Sequence, residues 1–350
     1  RRVTYRNFLD TYVDAPGAAF PWTPSVLVGI GVVISGLALW RALRGGQFGV
    51  IWAAVAAVFA PAMAIVLEMA WAPAEVIGAY PWALHAAGLA ALMVLFAERL
   101  ARVDGQARLR VSFAVMSALA CLAFAFVIVL SSAALTVALA VTVVAAAALD
   151  RAWNLPALGW FIAVGVVTLG YRLVVDPGLE YGADGPLGGV LLAYGGTLAA
   201  FVAALWLLRG LARPTAKVML DSAAWSTAGL TVSILLLRWI EQGIDENLVR
   251  THWSFGLNAA IWLGLALAQV QRSEGRTSGL LDTVRWILAA VFGLVGAVVL
   301  LGAVSAANPI FAGTYGWVLD GEVHESVARN MARAKVYGPI FVNTLAAAYL

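Results

Sequence analysis

Apolar blocks recur along this chain, each about as long as the hydrocarbon core of a bilayer is thick. An α-helix rises 1.5 Å per residue, so about 20 apolar residues carry it across about 30 Å of hydrocarbon. The blocks fall at about 24–44, 48–70, 80–99, 111–130, 133–150, 156–175, 186–209, 218–240, 253–271 and 280–306, and an eleventh begins near residue 338. They are continuous and rich in Ala, Leu, Val and Gly. Strands of a membrane β-barrel would instead alternate apolar and polar residues over about 10 positions. Of the 350 residues 63% are hydrophobic and 12% charged, against about 25% charged in a soluble domain, so a soluble fold could not cover its surface. The expected fold class is all-α: a polytopic transmembrane bundle of about ten to eleven helices.

The loops alternate in charge. Arg41 and Arg44 follow the first helix, and Arg99, Arg102, Arg108 and Arg110 the third. Arg151 follows the fifth, Arg209, Arg213 and Lys217 the seventh, and Arg272 and Arg276 the ninth. The intervening loops are poor in Lys and Arg. Two are acidic, one holding Asp176, Glu180 and Asp184 and the other Glu241, Asp245 and Glu246. Basic loops remain on the cytoplasmic side, so segments 71–80, 176–186, 241–252 and 307–337 are expected outside. Arg1, Arg2, Arg6, Arg329, Arg333 and Lys335 depart from the trend, in longer flanking segments where the rule weakens.

The organisation expected is an outer segment 1–23, a bundle over 24–306, an outer loop 307–337 and a further helix from 338. Within the outer loop, Val323, Val327, Met331 and Ala334 share one helical face, which suits a helix lying in the interface or packed on the protein. Residues 1–23 lack the apolar core of a signal peptide. The chain starts at Arg1 and stops at Leu350 within an apolar run, which reads as a portion of a longer protein. Asp176-Pro177, a Gly-rich turn and a helix containing Tyr194 are echoed by Asn308-Pro309, a glycine and a helix containing Tyr349. A fainter copy starts at Ala72-Pro73. The pattern predicts parallel repeats of four helices, although Pro-Gly turns recur in any short-loop membrane protein.

A charge at mid-membrane costs about 2.5–3.5 kcal/mol on insertion scales, so each needs a reason. Glu68, His85, Arg172, Asp176, Arg238 and Glu241 fall in the outer third on this topology and form the candidate polar site. Arg172 can pair with Asp176 one turn on, the arginines could hold an anionic headgroup, and His85 could move protons. Equally, long side chains near an interface snorkel to water. Glu98–Arg102, Asp150–Arg151, Asp221 and Asp282–Arg285, at the inner helix ends, read as structural caps. Trp22, Trp40, Trp71, Trp82, Trp206, Trp239, Trp253 and Trp286 read as an aromatic belt. Pro61 predicts a kink. Gly159, Gly165 and Gly170, and Gly293, Gly296 and Gly302, would let helices approach closely.

No nucleotide-binding, zinc-protease, serine-hydrolase or paired-cysteine motif is present. The single Cys121 rules out an intrachain disulfide, and the three histidines have no metal spacing. No cofactor, metal or catalytic residue is expected. The net charge of +3 is scattered between apolar blocks and does not argue for nucleic acid. Partners expected are membrane lipids, with room for other membrane or periplasmic subunits.

The segments Leu149-Asp150-Arg151-Ala152-Trp153, Arg172 to Pro177, Gly189 to Tyr194, Ala306 to Pro309 and Asn343 to Tyr349 resemble a large bacterial family of membrane proteins, domain of unknown function 2339. The resemblance covers most of the chain. It implies many Ala- and Leu-rich helices in the bacterial inner membrane, and it lends no catalytic residue. A lysine- and aspartate-containing segment found near the family's C-terminus is not seen here.

The sequence ranks first a non-catalytic scaffold or envelope-associated component. A transporter or flippase for a lipid-linked or anionic envelope substrate comes second, and a membrane glycosyl- or acyl-transferase third.

Overall fold

The computed structural model describes residues 22–105, 107–243, 252–273 and 279–302. The outer segment before Trp22, the interfacial helix, the helix from 338 and the second copy of the repeat lie outside the described residues. All ten helices expected before residue 306 are present, with ends within about a turn of the expected positions. They are α1 (Thr23–Leu43), α2 (Gly49–Trp71), α4 (Ala79–Asp104), α5 (Leu109–Val129), α6 (Ser132–Trp153), α7 (Leu158–Val174), α9 (Leu187–Leu207), α10 (Pro214–Gly243), α11 (His252–Ser273) and α12 (Gly279–Leu301). Two short helices, α3 (Pro73–Ile77) and α8 (Gly178–Asp184), fill turns that the hydropathy pattern left without structure. They are too short to register as periodic, and each starts beside a proline. Eight of the long helices are apolar enough to cross a membrane alone, and α7 with α8 makes a ninth if counted as one broken span. Helix α11 carries Ser254, Asn258, Gln269, Gln271 and Arg272 among its apolar residues. The protein is an all-α, polytopic helix bundle.

The chain divides into two compact units. Residues 1–177 and 199–220 form the first, and residues 178–198 and 221–350 the second.

In the first unit α1 packs on α2, α4 on α5, α2 on α5, and α6 on α7. The pattern of burial is inside-out. On α1, Val28, Gly31, Ser35, Ala38 and Ala42 face inward, while Val26, Ile30, Val33 and Leu37 are exposed. Small residues on the inner face let backbones approach, and large apolar ones face hydrocarbon. Val28, Ala60, Ala64, Leu67, Ile77, Trp82, Leu89, Ala90 and Cys121 form one apolar core. Trp82 therefore leaves the expected aromatic belt: it is 0% exposed, and its ring stands 5.2 Å from that of His85. Trp22, Trp40, Trp206, Trp239 and Trp286 are exposed, as a belt requires.

Helix α2 runs through Pro61 without a break. Proline lacks an N–H, so the carbonyl four residues back loses its partner. That carbonyl belongs to Ala57, and Ser117 of α5 donates its hydroxyl to it at 2.5 Å. On the same stretch the Ala60 N–H donates to Ser35 Oγ of α1 at 3.2 Å. In hydrocarbon a freed backbone group must be satisfied by the protein, and here two neighbouring helices do so.

The small-residue stripes are partly as expected. A Cβ on Gly165 would lie 2.6 Å from Val143 Cγ2, and one on Gly296 2.7 Å from Leu263 Cγ, so both sit at tight helix contacts. Gly170 faces open space and has no such role.

The helix ends beside the basic loops are joined by ion pairs rather than by caps. Asp150 is 0% exposed and accepts two bonds from Arg213, Nε to Oδ2 and Nη2 to Oδ1, both at 2.9 Å. Arg213 also donates to Asn154 Oδ1 at 2.8 Å. Arg110 pairs with Asp104 and donates to the Ala42 carbonyl at 2.7 Å, reaching α1. Arg151 donates to the Leu207 carbonyl at 3.1 Å. The cap reading of Asp150 is corrected by this fork geometry, which ties positions 63 residues apart. Glu98–Arg102 remains an exposed pair on one helix.

Ser117→Ala should cost about 1–2 kcal/mol, because it strands a buried carbonyl. In a Pro61→Ala background, where residue 61 regains its N–H, the same change should cost close to nothing. Unfolding midpoints of the four proteins in detergent measure that coupling.

Candidate functional site

The six polar residues singled out in the sequence occupy distinct local arrangements. Glu68, His85, Arg172 and Asp176 belong to the first unit, and Arg238 and Glu241 to the second. Glu68 Oε2 accepts the Ala74 N–H at 3.2 Å, so it caps the first turn of α3 across the left-handed break at Ala72. His85 bonds the Pro81 carbonyl through Nδ1 at 2.8 Å and Ser25 Oγ through Nε2 at 3.0 Å. That joins α4 to α1 and occupies both ring nitrogens. Arg172 is buried; it donates to Asp176 Oδ2 at 3.2 Å and to the Ser132 carbonyl at 2.9 Å. These four side chains are taken up by local structure.

Arg238 is placed differently. It sits near the C-terminal end of α10, 8% exposed. Its Nη1 donates to the Gly182 carbonyl at 3.0 Å and to that of Ala183. These carbonyls close α8, where helical partners run out, and a guanidinium there also meets the negative end of the helix dipole. Tyr194 of α9 holds the other end of α8, donating to the Gly178 carbonyl at 2.9 Å. Close packing completes the attachment, since a Cβ on Gly182 would lie 2.8 Å from Ile234 Cδ1 and 3.0 Å from Tyr194 Oη.

Against this corner lies a cavity of about 460 Å³. Leu179 and Ala183 of α8, Leu230, Ile234 and Leu237 of α10, Phe255 and Trp262 of α11 and Val299 of α12 supply an apolar wall. Its polar groups are Arg238, Glu241, Ser233, Ser254 and Asn258. Asn258 donates to the Ser254 carbonyl at 3.2 Å. Ser233 Oγ and Arg238 Nε are buried without a hydrogen-bond partner. Among the described residues no carboxylate lies within ion-pair reach of Arg238, and Glu241 has no cationic partner.

The family model described as "Predicted membrane protein (DUF2339)" matches residues 14–350. The chain belongs to this family. Neither the curated proteins nor the solved structures hold a significant match to it. Family membership therefore supports the membrane-embedded architecture, and the site has to be argued from its own geometry.

Sequence reasoning reached Arg238 and Glu241 because charges near hydrocarbon are conspicuous. It missed Ser233, Ser254 and Asn258, which carry no charge. One signal was available: Ser254, Asn258 and Trp262 recur every four residues and so share one face of α11. Among the described residues no group of three or more His, Cys, Asp or Glu could hold a metal, and Cys121 is a buried free thiol.

Nearer the start of α10, the second unit holds a contrasting cluster. Asp221 accepts from Arg272 Nη2 at 2.9 Å and faces Arg285 Nη2 at 3.5 Å. Arg285 also donates to the Arg272 carbonyl at 3.0 Å, and Arg272 stacks on Trp225. Asp221 lies two turns into α10 and joins three helices, so it is not the cap that the sequence suggested. Asp282 stays in the first turn of α12. Gln269, one turn before Arg272, is 0% exposed, with neither side-chain atom hydrogen-bonded.

A buried amide without partners is costly, and replacing it by an apolar group of similar shape removes that cost. Gln269→Leu should therefore leave unfolding in detergent unchanged or raise stability by about 1–2 kcal/mol; a loss of similar size would show that the amide is satisfied in the folded protein.

Proposed function

We propose that this protein handles an amphiphilic lipid of the bacterial inner membrane, as a transporter or flippase component whose second unit takes the lipid into the cavity beside α8. One observation carries this reading: a cavity walled by apolar side chains of α8, α10, α11 and α12, with an arginine at one edge that no carboxylate among the described residues neutralises. Ligand sites are mostly apolar, with a few placed polar groups that fix orientation. An ionisable side chain among membrane helices that faces a cavity is a functional marker.

The topology agrees with this use. With basic loops cytoplasmic, Arg238 and α8 lie at the outer leaflet, where an envelope lipid would arrive or leave. From Asp221 to Arg238, α10 rises about 25 Å, nearly the hydrocarbon thickness, so the inner cluster and the cavity mark opposite ends of one span. A scaffold without ligand, the reading that sequence alone ranks first, explains the hold of Arg238 on α8 but gives no use to the cavity beside it. No observation favours a transferase.

The test is lipid retention. The protein, purified in detergent and depleted of loose lipid, is expected to keep a stoichiometric lipid in native mass spectra. Leu230→Trp and Ser233→Phe, which fill the cavity from two positions, should lose it while keeping helical content. Equal retention by both variants would return the scaffold reading to first place.

A further inference from the structure

The polar edge of the cavity carries both signs of charge on one helix. Arg238 and Glu241 are three residues apart on α10, about 4.5 Å along its axis, and both line the cavity. Among the described residues neither is paired: Arg238 is bonded only to backbone carbonyls, and Glu241 is in no ion pair. A structural pair would have closed on itself at this spacing. Five residues before Arg238, and also lining the cavity, Ser233 Oγ is buried with its hydroxyl unused, and Arg238 Nε is an N–H donor in the same state. Both residues are more than nine-tenths buried. The edge therefore offers two free donors, a fixed positive charge and, one turn further out, a carboxylate acceptor.

We infer that the ligand is zwitterionic: a phosphate held by Arg238 and Ser233, joined through two carbons to a primary ammonium held by Glu241, with its acyl chain along the apolar wall. This deepens the proposed function and rests on its claim that the cavity takes up an amphiphile. A phosphate supplies the accepting oxygens that a guanidinium and a hydroxyl require. A primary ammonium brings three N–H donors to a carboxylate, whereas a trimethylated one brings none. A purely anionic lipid would satisfy Arg238 and set its remaining surface against Glu241. The cavity should thus prefer a phosphoethanolamine lipid to a phosphoglycerol or phosphocholine lipid of the same chain length.

The experiment is competition binding to the full chain in detergent micelles. It uses dioleoyl phosphatidylethanolamine, phosphatidylglycerol and phosphatidylcholine as separate probes, with soluble O-phosphoethanolamine as the chainless arm. Phosphatidylethanolamine should bind best, and the soluble headgroup, which lacks the chain that fills the apolar wall, should compete only weakly. Arg238→Gln should weaken all three lipids. Glu241→Gln should weaken phosphatidylethanolamine alone, by about fivefold, to the level of the other two. Equal affinity of the wild type for phosphatidylethanolamine and phosphatidylglycerol, or an unchanged preference in Glu241→Gln, would overturn the zwitterion assignment while leaving lipid uptake standing. Binding of no lipid by the wild type would instead overturn the proposed function itself. Because Arg238 also anchors α8, Glu241→Gln, whose side chain is exposed and makes no bond to α8, serves as the variant that separates recognition from folding.

Discussion

A guanidinium held away from bulk water has to find its acceptors inside the protein, and hydrocarbon offers none. That constraint orders most of this structure. Arg110 takes Asp104 and a carbonyl of α1; Arg213 takes Asp150; Arg272 and Arg285 share Asp221; Arg172 takes Asp176 and a carbonyl of Ser132. Each arrangement joins parts of the chain that apolar packing alone would leave free to slide, because lipid tails are as apolar as the helices and give no hydrophobic reason to associate. The same rule acts on the backbone at Pro61, where Ser117 answers a carbonyl that the proline has stranded.

Arg238 meets that rule with backbone carbonyls alone, without a carboxylate, and that difference gives it meaning. Its acceptors are the last carbonyls of α8, which carry partial charge only, so the side chain fastens a short helix and retains its positive charge. The position is over-determined by Tyr194 at the other end of α8 and by Gly182 beneath it. A cation fixed in this way costs the protein stability and preorganises a site, since little rearrangement is needed when an anion arrives. The apolar wall then selects among anions for those with a chain attached.

The fold was legible because its cause is one-dimensional. Helix length follows bilayer thickness, so the ten long helices could be placed from hydropathy. What escaped was decided by neighbours distant in sequence. Asp150 and Asp221 looked like caps because their partners lie 63 and 51 residues away. Trp82 looked like a belt residue because its position near a helix end says nothing of which way it faces. Helices α3 and α8 were invisible because one or two turns are too short to show a periodicity. Two of the cavity's five polar groups were legible for a related reason: a charge in an apolar run announces its cost, whereas Ser233, Ser254 and Asn258 are cheap enough to pass as ordinary helix residues.

A cryo-electron microscopy map of the protein in lipid nanodiscs tests the central claim most directly, namely that Arg238 is kept uncompensated to receive a lipid. The account predicts elongated density along Leu230, Ile234 and Trp262, ending in a headgroup against Arg238 and Ser233. A cavity closed by its own side chains, with Arg238 in an ion pair to a carboxylate of the chain, would contradict it.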